Sequence, residues 1–131
     1  MITTEDLTRK FGTLVAVDNL NIEIKEGDVY GFLGPNGAGK TTTIRMLATL
    51  IKPTSGTACI MGFDVRNEPN RARRAIGIMP ERPGFYEEMS GRKQLRFYGE
   101  FYKIPREKLD PRIEELMDKV GMSRFIDANI K

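Results

Sequence analysis

A glycine-rich run at residues 34–41 constrains the fold of this chain more than any other feature. It reads Gly-Pro-Asn-Gly-Ala-Gly-Lys-Thr, which matches the pattern of Gly, four residues, Gly, Lys and Ser or Thr. Residues 29–33, directly ahead of it, are nearly all apolar, as expected of a strand buried on both faces of an α/β sheet. From Lys40 onward, apolar residues recur at helical spacing up to Ile51, and Pro53 ends the pattern. The sequence therefore predicts a strand, a P-loop and a helix in direct succession.

The residue types of this loop suit the phosphates of Mg-ATP. Glycines allow the backbone N–H groups to point inward, and the dipole of the following helix adds positive potential there. Lys40 is expected to contact the β- and γ-phosphates, and the Thr41 hydroxyl is expected to ligate Mg²⁺. The flanking strand and helix disfavour the alternative of a glycine turn with a helix-capping lysine. The predicted nucleotide-binding residues of the loop are Asn36, Gly37, Ala38, Gly39, Lys40, Thr41 and Thr42.

Composition excludes several other classes of function. The length of 131 residues suits one domain or one piece of a domain. Cys59 is the single cysteine, so no disulfide can form within the chain, and the absence of histidine removes the commonest general base. The formal net charge of +3 does not indicate a nucleic-acid partner. No apolar run approaches the roughly 20 residues of a membrane span, and the N-terminus lacks the pattern of a signal peptide, so a cytoplasmic location is expected.

The apolar patterns on either side of the loop predict an N-terminal antiparallel β-layer and a helical C-terminal part. Ser90 is expected to cap one helix, and Asp110-Pro111 is expected to start another that ends at Gly121. The tail from Ser123 could start a third helix. Strands are predicted at residues 2–7, 13–17, 20–24, 57–61 and 76–79, and a short charged helix at residues 68–75.

Residues 31–47, which include the loop, resemble the P-loop region of ABC transporter ATPase subunits, and more narrowly those of bacterial and archaeal multidrug-type exporters. Phe11-Gly12, residues 52–56 and residues 62–65 are similar to that family in the same order. The resemblance extends over essentially the whole chain. It implies an α/β fold: part of a P-loop NTPase core with an N-terminal antiparallel β-layer and the start of the ABC helical subdomain. The expected extents are 1–88 for the β-layer and core and 89–131 for the beginning of the helical subdomain, all within the N-terminal part of one ABC ATPase domain.

The resemblance also assigns residues outside the loop. An aromatic residue ahead of the P-loop stacks on adenine in this family, which implies that role for Phe11, with Val17 beside it. The alternative for Phe11 is packing within the β-layer. Glu81 stands where the family has its Q-loop glutamine, so the chain departs from the pattern there. A carboxylate suits Mg²⁺ at least as well as an amide does, which keeps a metal role for Glu81 beside the alternative of a surface-loop glutamate.

Several hydrolytic motifs of the family have no match in the chain. Residues 89–94 only partly resemble the Ser-Gly-Gly signature and are interpreted as a helix start. Leu116-Met117-Asp118 follows a helical period, which excludes the acidic strand of the family. No complete catalytic set is therefore predicted; Glu81 alone occupies a catalytic-loop position. The chain by itself is expected to bind ATP without hydrolysing it, whereas the full-length family member is expected to be an ATP hydrolase.

The function implied by the resemblance is that of an ATP-binding subunit that powers an ABC transporter, in particular an exporter. The expected partners are a second ATPase subunit and a transmembrane subunit, on the cytoplasmic face of the membrane. Two alternatives remain open: a soluble ABC ATPase of translation or DNA repair, and a stand-alone nucleotide-binding module without hydrolysis. Most of the following aromatic residues are expected in the core rather than on a docking surface for the membrane subunit: Phe85, Tyr86, Phe97, Tyr98, Phe101 and Tyr102.

Overall fold

The computed structural model describes residues 1–81 and 84–130. They divide into two compact units, Met1–Met79 and Pro80–Lys131. The first unit contains the glycine-rich loop, and the second contains the C-terminal helices. Positions 82, 83 and 131 lie outside the described residues. Position 131 is the last residue of the predicted tail.

The first unit is built on a four-stranded sheet in the order β2-β1-β3-β4. Its strands are β1 (Ile2–Phe11), β2 (Leu14–Ile24), β3 (Ser55–Ile60) and β4 (Phe63–Asp64). Each pair of neighbours is antiparallel, which confirms the predicted β-layer. The segments predicted as separate strands at residues 13–17 and 20–24 form the single strand β2.

Strand β4 was not predicted, and a two-residue turn accounts for it. Met61 and Gly62 both have positive φ angles, 49° and 84°. Two successive residues with positive φ match the right-handed twist of a hairpin, so the chain reverses tightly and Phe63 pairs with Ile60.

The helix after the glycine-rich loop, α1 (Lys40–Leu47), is shorter than the sequence pattern predicts. Thr49 adopts a left-handed conformation with φ of 58° and donates its N–H to the carbonyl of Met46, while Leu50 donates to the carbonyl of Arg45. These two bonds are those of a Schellman motif, which satisfies the last carbonyls of the helix. The helix therefore ends before the apolar period does.

The core of the first unit lies between the sheet and the helices. Leu7 of β1, Met46 of α1 and Ile60 of β3 are fully buried. Ala72 of the short helix α2 (Pro69–Arg74) is buried in the same cluster. Burial of a leucine, methionine or isoleucine side chain contributes about 1.5–3 kcal/mol, so this cluster holds α1, and with it the loop, against the sheet.

Two predicted strands are not formed. Neither segment, residues 29–33 or residues 76–79, forms a strand. Within the described residues no strand pairs with either of them. Val29, Leu33 and Met79 are almost fully exposed. The prediction of a strand buried on both faces was wrong for this structure because a parallel strand requires hydrogen-bonded neighbours, and the apolar sequence alone does not supply them.

The second unit contains α3 (Gly91–Phe101), α4 (Arg106–Lys119) and a short 3-10 helix (Ser123–Phe125). Ser90 is the N-cap of α3, as predicted, and its hydroxyl accepts a hydrogen bond from the N–H of Lys93 at 3.4 Å. Gly121, with φ of 67°, directly follows the C-cap of α4, as predicted. The core of this unit consists of Leu109, Ile113 and Ile126.

The prediction that Asp110-Pro111 starts α4 was wrong, because the helix begins one turn earlier, at Arg106. Asp110 instead accepts two hydrogen bonds from the guanidinium of Arg96 on α3. Pro111 lies in the second turn of the helix and has no N–H to donate to the carbonyl of Glu107. The predicted third helix is limited to the 3-10 turn.

The expectation that most of the aromatic residues of this unit lie in its core was also wrong. Among the described residues, Phe97 is half-buried and is in contact with other rings. The other five aromatic side chains of this set are exposed. The exposed members are Phe85, Tyr86, Tyr98, Phe101 and Tyr102.

No helix within residues 1–81 and 84–130 is long and apolar enough to cross a membrane.

Candidate functional site

The glycine-rich loop connects an extended segment to the N-terminus of α1. Asn36 and Gly37 form a turn, and Ala38 donates its N–H to the carbonyl of Pro35 at 3.2 Å. Gly37 and Gly39 both have φ of 84°, a left-handed conformation that favours glycine. The first bond of the helix runs from the N–H of Thr43 to the carbonyl of Gly39 at 2.8 Å. The loop thus curls back on itself immediately before the helix begins.

Gly39 also lies directly against strand β2. A Cβ atom on Gly39 would be 2.3 Å from the carbonyl oxygen of Ala16 and 3.1 Å from a methyl group of Val17. Arg9 pairs with Val17 and Lys10 with Val15, so Ala16 is the extra residue of an irregularity in the β1–β2 pairing. The irregular strand and the glycine therefore fix the position of the loop relative to the sheet.

The side chain of Lys40 folds back over the loop. Its Nζ donates hydrogen bonds to the carbonyl of Gly34 at 2.6 Å and to that of Pro35 at 2.7 Å. The ammonium group is thus held beside the backbone of the loop. A lysine ammonium has three N–H donors, so two backbone carbonyls leave one donor for an anion.

The N-terminus of α1 has the electrostatics of an anion site. No side chain caps it, and its first turn contains no acidic residue. The N–H groups of Lys40, Thr41 and Thr42 precede the first bond within the helix, so the helix itself offers them no acceptor. Thr41 is exposed and Thr42 is half-buried. These N–H groups and the helix dipole favour a bound anion.

A cleft of about 340 Å³ lies between strand β2 and the loop. Val17 of the predicted residues lines it, together with Gly37 and Ala38. Sequence reasoning did not assign the other lining residues, which are Val15, Ala16, Asp18, Leu20, Phe32 and Thr43. The first four of them belong to β2, and their contact with the loop joins distant parts of the sequence, so sequence reasoning did not predict it.

Phe11 lies at the end of β1 and is 46% exposed. It is not among the residues that line the cleft. The guanidinium carbon of Arg9 is 4.4 Å from the centre of its ring. Sequence reasoning missed Arg9, although a basic residue two positions before an aromatic one on a strand is a signal that could have found it.

Glu81, the last described residue before position 82, is exposed and belongs to the second unit. No group of three or more Asp, Glu, Cys or His side chains that could hold a metal occurs in the described parts of the chain. The metal role of Glu81 stays a prediction.

Comparison with known proteins identifies the family to which this loop belongs. A family profile described as "ABC transporter" matches residues 17–131. The chain belongs to the ABC transporter family. This finding agrees with the resemblance of residues 31–47, and it places the P-loop in the ATP-binding domain of that family.

Two curated ABC transporter relatives and one solved structure give the comparison more detail. The chain is 45% identical over 122 residues to the bacitracin transport ATP-binding protein BcrA of Bacillus licheniformis, with 93% of the chain covered. It is 39% identical over 130 residues to the daunorubicin/doxorubicin resistance ATP-binding protein DrrA of Streptomyces peucetius, with 99% covered. The chain spans 39% of the length of each relative.

The solved structure is described as an ATP-binding subunit of an ABC transporter. It superposes with a TM-score of 0.81 at 25% identity, covering 98% of this chain and 53% of the other. The predicted fold class is therefore confirmed: the chain has part of the P-loop core of an ABC ATPase together with its antiparallel β-layer. The boundary predicted at residues 88 and 89 stays a prediction.

Proposed function

We propose that this chain binds Mg-ATP through residues 36–42, as the nucleotide-binding part of an ABC exporter. The observation that carries this proposal is the position of Lys40, whose ammonium lies beside the loop backbone at the open N-terminus of α1. A lysine and several unsatisfied N–H groups at one helix end fit the β- and γ-phosphates of a nucleoside triphosphate. A neutral ligand would gain little from such a site.

Each part of the loop has a separate task in this proposal. The N–H groups of Gly37 and Gly39 and of the first helical turn bind phosphate oxygens, and Lys40 balances their charge. The exposed hydroxyl of Thr41 would be a ligand for Mg²⁺. Bound Mg²⁺ supplies charge neutralisation between the phosphates. Phe11 and Val17 are proposed to receive the adenine, and Glu81, at the Q-loop position, is proposed as a further oxygen ligand.

The transport role is supported by what the relatives are called. One is named for bacitracin transport and the other for daunorubicin and doxorubicin resistance. We propose export of a compound as the task of the full-length protein. A second ATPase subunit and a transmembrane subunit would be its partners, at the cytoplasmic face of the membrane. ATP hydrolysis belongs to this full-length assembly. Because residues 1–131 contain no match to the hydrolytic motifs of the family, these residues alone are proposed to bind ATP without turnover.

The test of nucleotide binding is Lys40→Ala in the full-length protein, measured by calorimetry with Mg-ATP. Loss of one charge-assisted hydrogen bond costs about 1.5–3 kcal/mol, which corresponds to a roughly 10- to 100-fold weaker affinity. Lys25→Ala is the matched control, because Lys25 is an exposed lysine outside the loop. Equal affinities of the Lys40→Ala variant and the parent would refute the proposed site, provided that both unfold at the same denaturant concentration.

A further inference from the structure

Arg9 and Phe11 form a stacked pair at the end of strand β1. The guanidinium carbon of Arg9 lies 4.4 Å from the centre of the Phe11 ring, which is within the range of a cation–π contact. Nη1 of Arg9 donates a hydrogen bond to the carbonyl of Lys52 at 2.8 Å. None of the ion pairs found in residues 1–81 and 84–130 includes Arg9. The guanidinium is thus held in place by a backbone carbonyl, and its positive charge lies against the face of the Phe11 ring.

This pair lies on the face of the hairpin that carries the glycine-rich loop. Arg9 is paired with Val17 across β1 and β2, and directly paired residues share one face of a sheet. Val17 is buried, lines the cleft beside the loop and lies next to Gly39. Because alternate residues of a strand point to the same face, Phe11 follows Arg9 on this side. One face of the ring is covered by Arg9, and Phe11 is still 46% exposed.

We propose that Arg9 is a positioning residue for the nucleotide base: it braces one face of Phe11 so that the other face is a fixed platform for adenine. This inference rests on the proposed function, since it requires a nucleotide whose phosphates occupy the loop. It adds a residue to the site that the P-loop pattern does not contain.

Two physical effects make the brace useful. An exposed phenylalanine at a strand end samples several orientations, and a ligand that stacks on it must restrict them at a cost in entropy. The guanidinium, itself held by the Lys52 carbonyl, restricts the ring beforehand. A cation on one face also draws π-electron density away from the opposite face, which favours stacking of an electron-rich purine there.

The test is a double-mutant cycle on Mg-ATP affinity in the full-length protein. The variants are Arg9→Met, Phe11→Ala and the double variant; methionine keeps an unbranched stem and removes the cation. We expect Arg9→Met to weaken Mg-ATP binding roughly 3- to 10-fold, in line with the strength of a partly exposed cation–π contact. In the Phe11→Ala background the same change should alter the affinity less than twofold, because Arg9 acts through the ring. Lys10→Met is the matched control, since Lys10 is an adjacent, exposed cation and the contact with the Phe11 ring is made by Arg9.

The outcomes separate this inference from the proposed function. An equal loss of affinity in both backgrounds would mean that Arg9 only stabilises the hairpin, and no loss in either would mean that the brace has no effect; both results overturn the inference. Neither result changes the interpretation of Lys40→Ala, which tests phosphate binding directly. If Mg-ATP binding does not depend on Lys40, the proposed function fails first.

Discussion

Gly39 and Ala16 approach each other so closely that a Cβ atom on Gly39 would lie 2.3 Å from the Ala16 carbonyl oxygen. The contact joins the last glycine of the glycine-rich loop to the irregular part of strand β2. Glycine is required at this position for two separate reasons, its φ of 84° and the lack of space for a side chain. The packing of the loop on the sheet therefore requires glycine at this position.

Gly39→Ala is predicted to reduce both stability and nucleotide affinity. A left-handed conformation costs a non-glycine residue about 1–2 kcal/mol, and the contact with a backbone oxygen cannot be relieved by rotating a side chain. We expect a total loss of roughly 2–4 kcal/mol in the free energy of unfolding, a range typical of strained core substitutions. Chemical denaturation of the full-length protein, followed by calorimetry with Mg-ATP, measures both effects.

Gly37→Ala is the control for Gly39→Ala. Gly37 has the same φ of 84°, but a Cβ there would have no neighbour within 4 Å. The Gly37→Ala variant should lose only the cost of the left-handed conformation, about 1–2 kcal/mol in the free energy of unfolding. If both variants lose the same amount of stability, the contact with Ala16 contributes nothing.

Asp64 is predicted to make the stability of the first unit depend on pH in acid. Burial would raise the pKa of Asp64, but hydrogen bonds from the Thr57 hydroxyl and from the N–H groups of Asn67 and Arg66 outweigh it, and the pKa lies below its ordinary value. A carboxyl group whose pKa is lowered by folding stabilises the fold above its unfolded pKa, which is about 3.9. This stabilisation is lost as the pH falls through the lower pKa of the folded state.

Asp64→Asn should therefore be destabilising near pH 7 and nearly neutral in strong acid. Hydrogen bonds to a charged acceptor are stronger than neutral ones by about 1 kcal/mol, so we expect a loss of that order at pH 7. The difference from the parent should shrink as the pH falls below about 3.9. Thr57→Val is the companion variant: it removes one donor, so the pKa of Asp64 should rise toward its unfolded value and the stability lost between pH 7 and pH 2 should be smaller than in the parent. Urea titrations between pH 7 and pH 2 measure these shifts, and a difference that does not change with pH would contradict this account.

Arg92 is predicted to stabilise the packing of the C-terminal turn of the second unit against the start of α3. Its Nε and Nη2 donate to the two carboxylate oxygens of Asp127 at 2.7 and 3.2 Å, and Nη1 donates to Glu114. The hydrogen bond from Arg92 lowers the pKa of the Asp127 carboxyl. The backbone N–H of Ile130 also bonds to the carbonyl of Met89 at 3.0 Å. Loss of the guanidinium should therefore loosen this part of the turn.

Arg92→Met should increase hydrogen exchange at the Ile130 amide by about 2- to 5-fold, the range expected for one exposed ion-pair cluster. The neighbouring Lys93→Met is the control, because Lys93 is exposed and forms no ion pair with the described residues. High salt should reduce the difference between the parent and Arg92→Met by screening the charges. Unchanged exchange at low salt would mean that the backbone bonds alone hold the turn.

The parts of this structure that the sequence predicts are those set by local rules. The glycines and Lys40 predict the loop, and Ser90 predicts the start of α3. Both predictions succeed because caps and left-handed turns depend on one or two residues. The Schellman motif at Thr49 was missed since threonine is an unusual residue at that position. Local chemistry therefore accounts for most of the element types and for some of their ends.

The parts that could not be predicted depend on contacts between distant residues. An apolar run such as residues 29–33 predicts a strand, but only a hydrogen-bonded neighbour makes one. The irregularity at Ala16 has no sequence signature, although it determines where Gly39 packs. The hydrogen bond from Arg9 to the Lys52 carbonyl could not be predicted for the same reason, because it joins residues 43 positions apart. The sequence thus predicted the loop of the candidate site, but it did not predict how the loop packs on the sheet.

Gly99→Ala is predicted to destabilise the second unit although alanine is the better helix former. Gly99 of α3 is buried, and a Cβ atom there would lie 2.5 and 2.6 Å from the two terminal carbons of Leu109 on α4. Alanine gains about 1 kcal/mol in helix propensity, but overpacking of a core costs about 1–3 kcal/mol. We expect a net loss of roughly 1 kcal/mol in the free energy of unfolding.

The sign of this effect should reverse when Leu109 is shortened. Leu109→Ala alone should cost about 2–5 kcal/mol because it opens a cavity in the core of Leu109, Ile113 and Ile126. In that background the methyl group of Gly99→Ala enters the vacated space, so the propensity gain of about 1 kcal/mol remains and the change becomes stabilising. Denaturation of the four proteins of this cycle measures the reversal. A Gly99→Ala effect of the same sign in both backgrounds would show that the close approach of α3 to Leu109 does not determine the spacing of these helices.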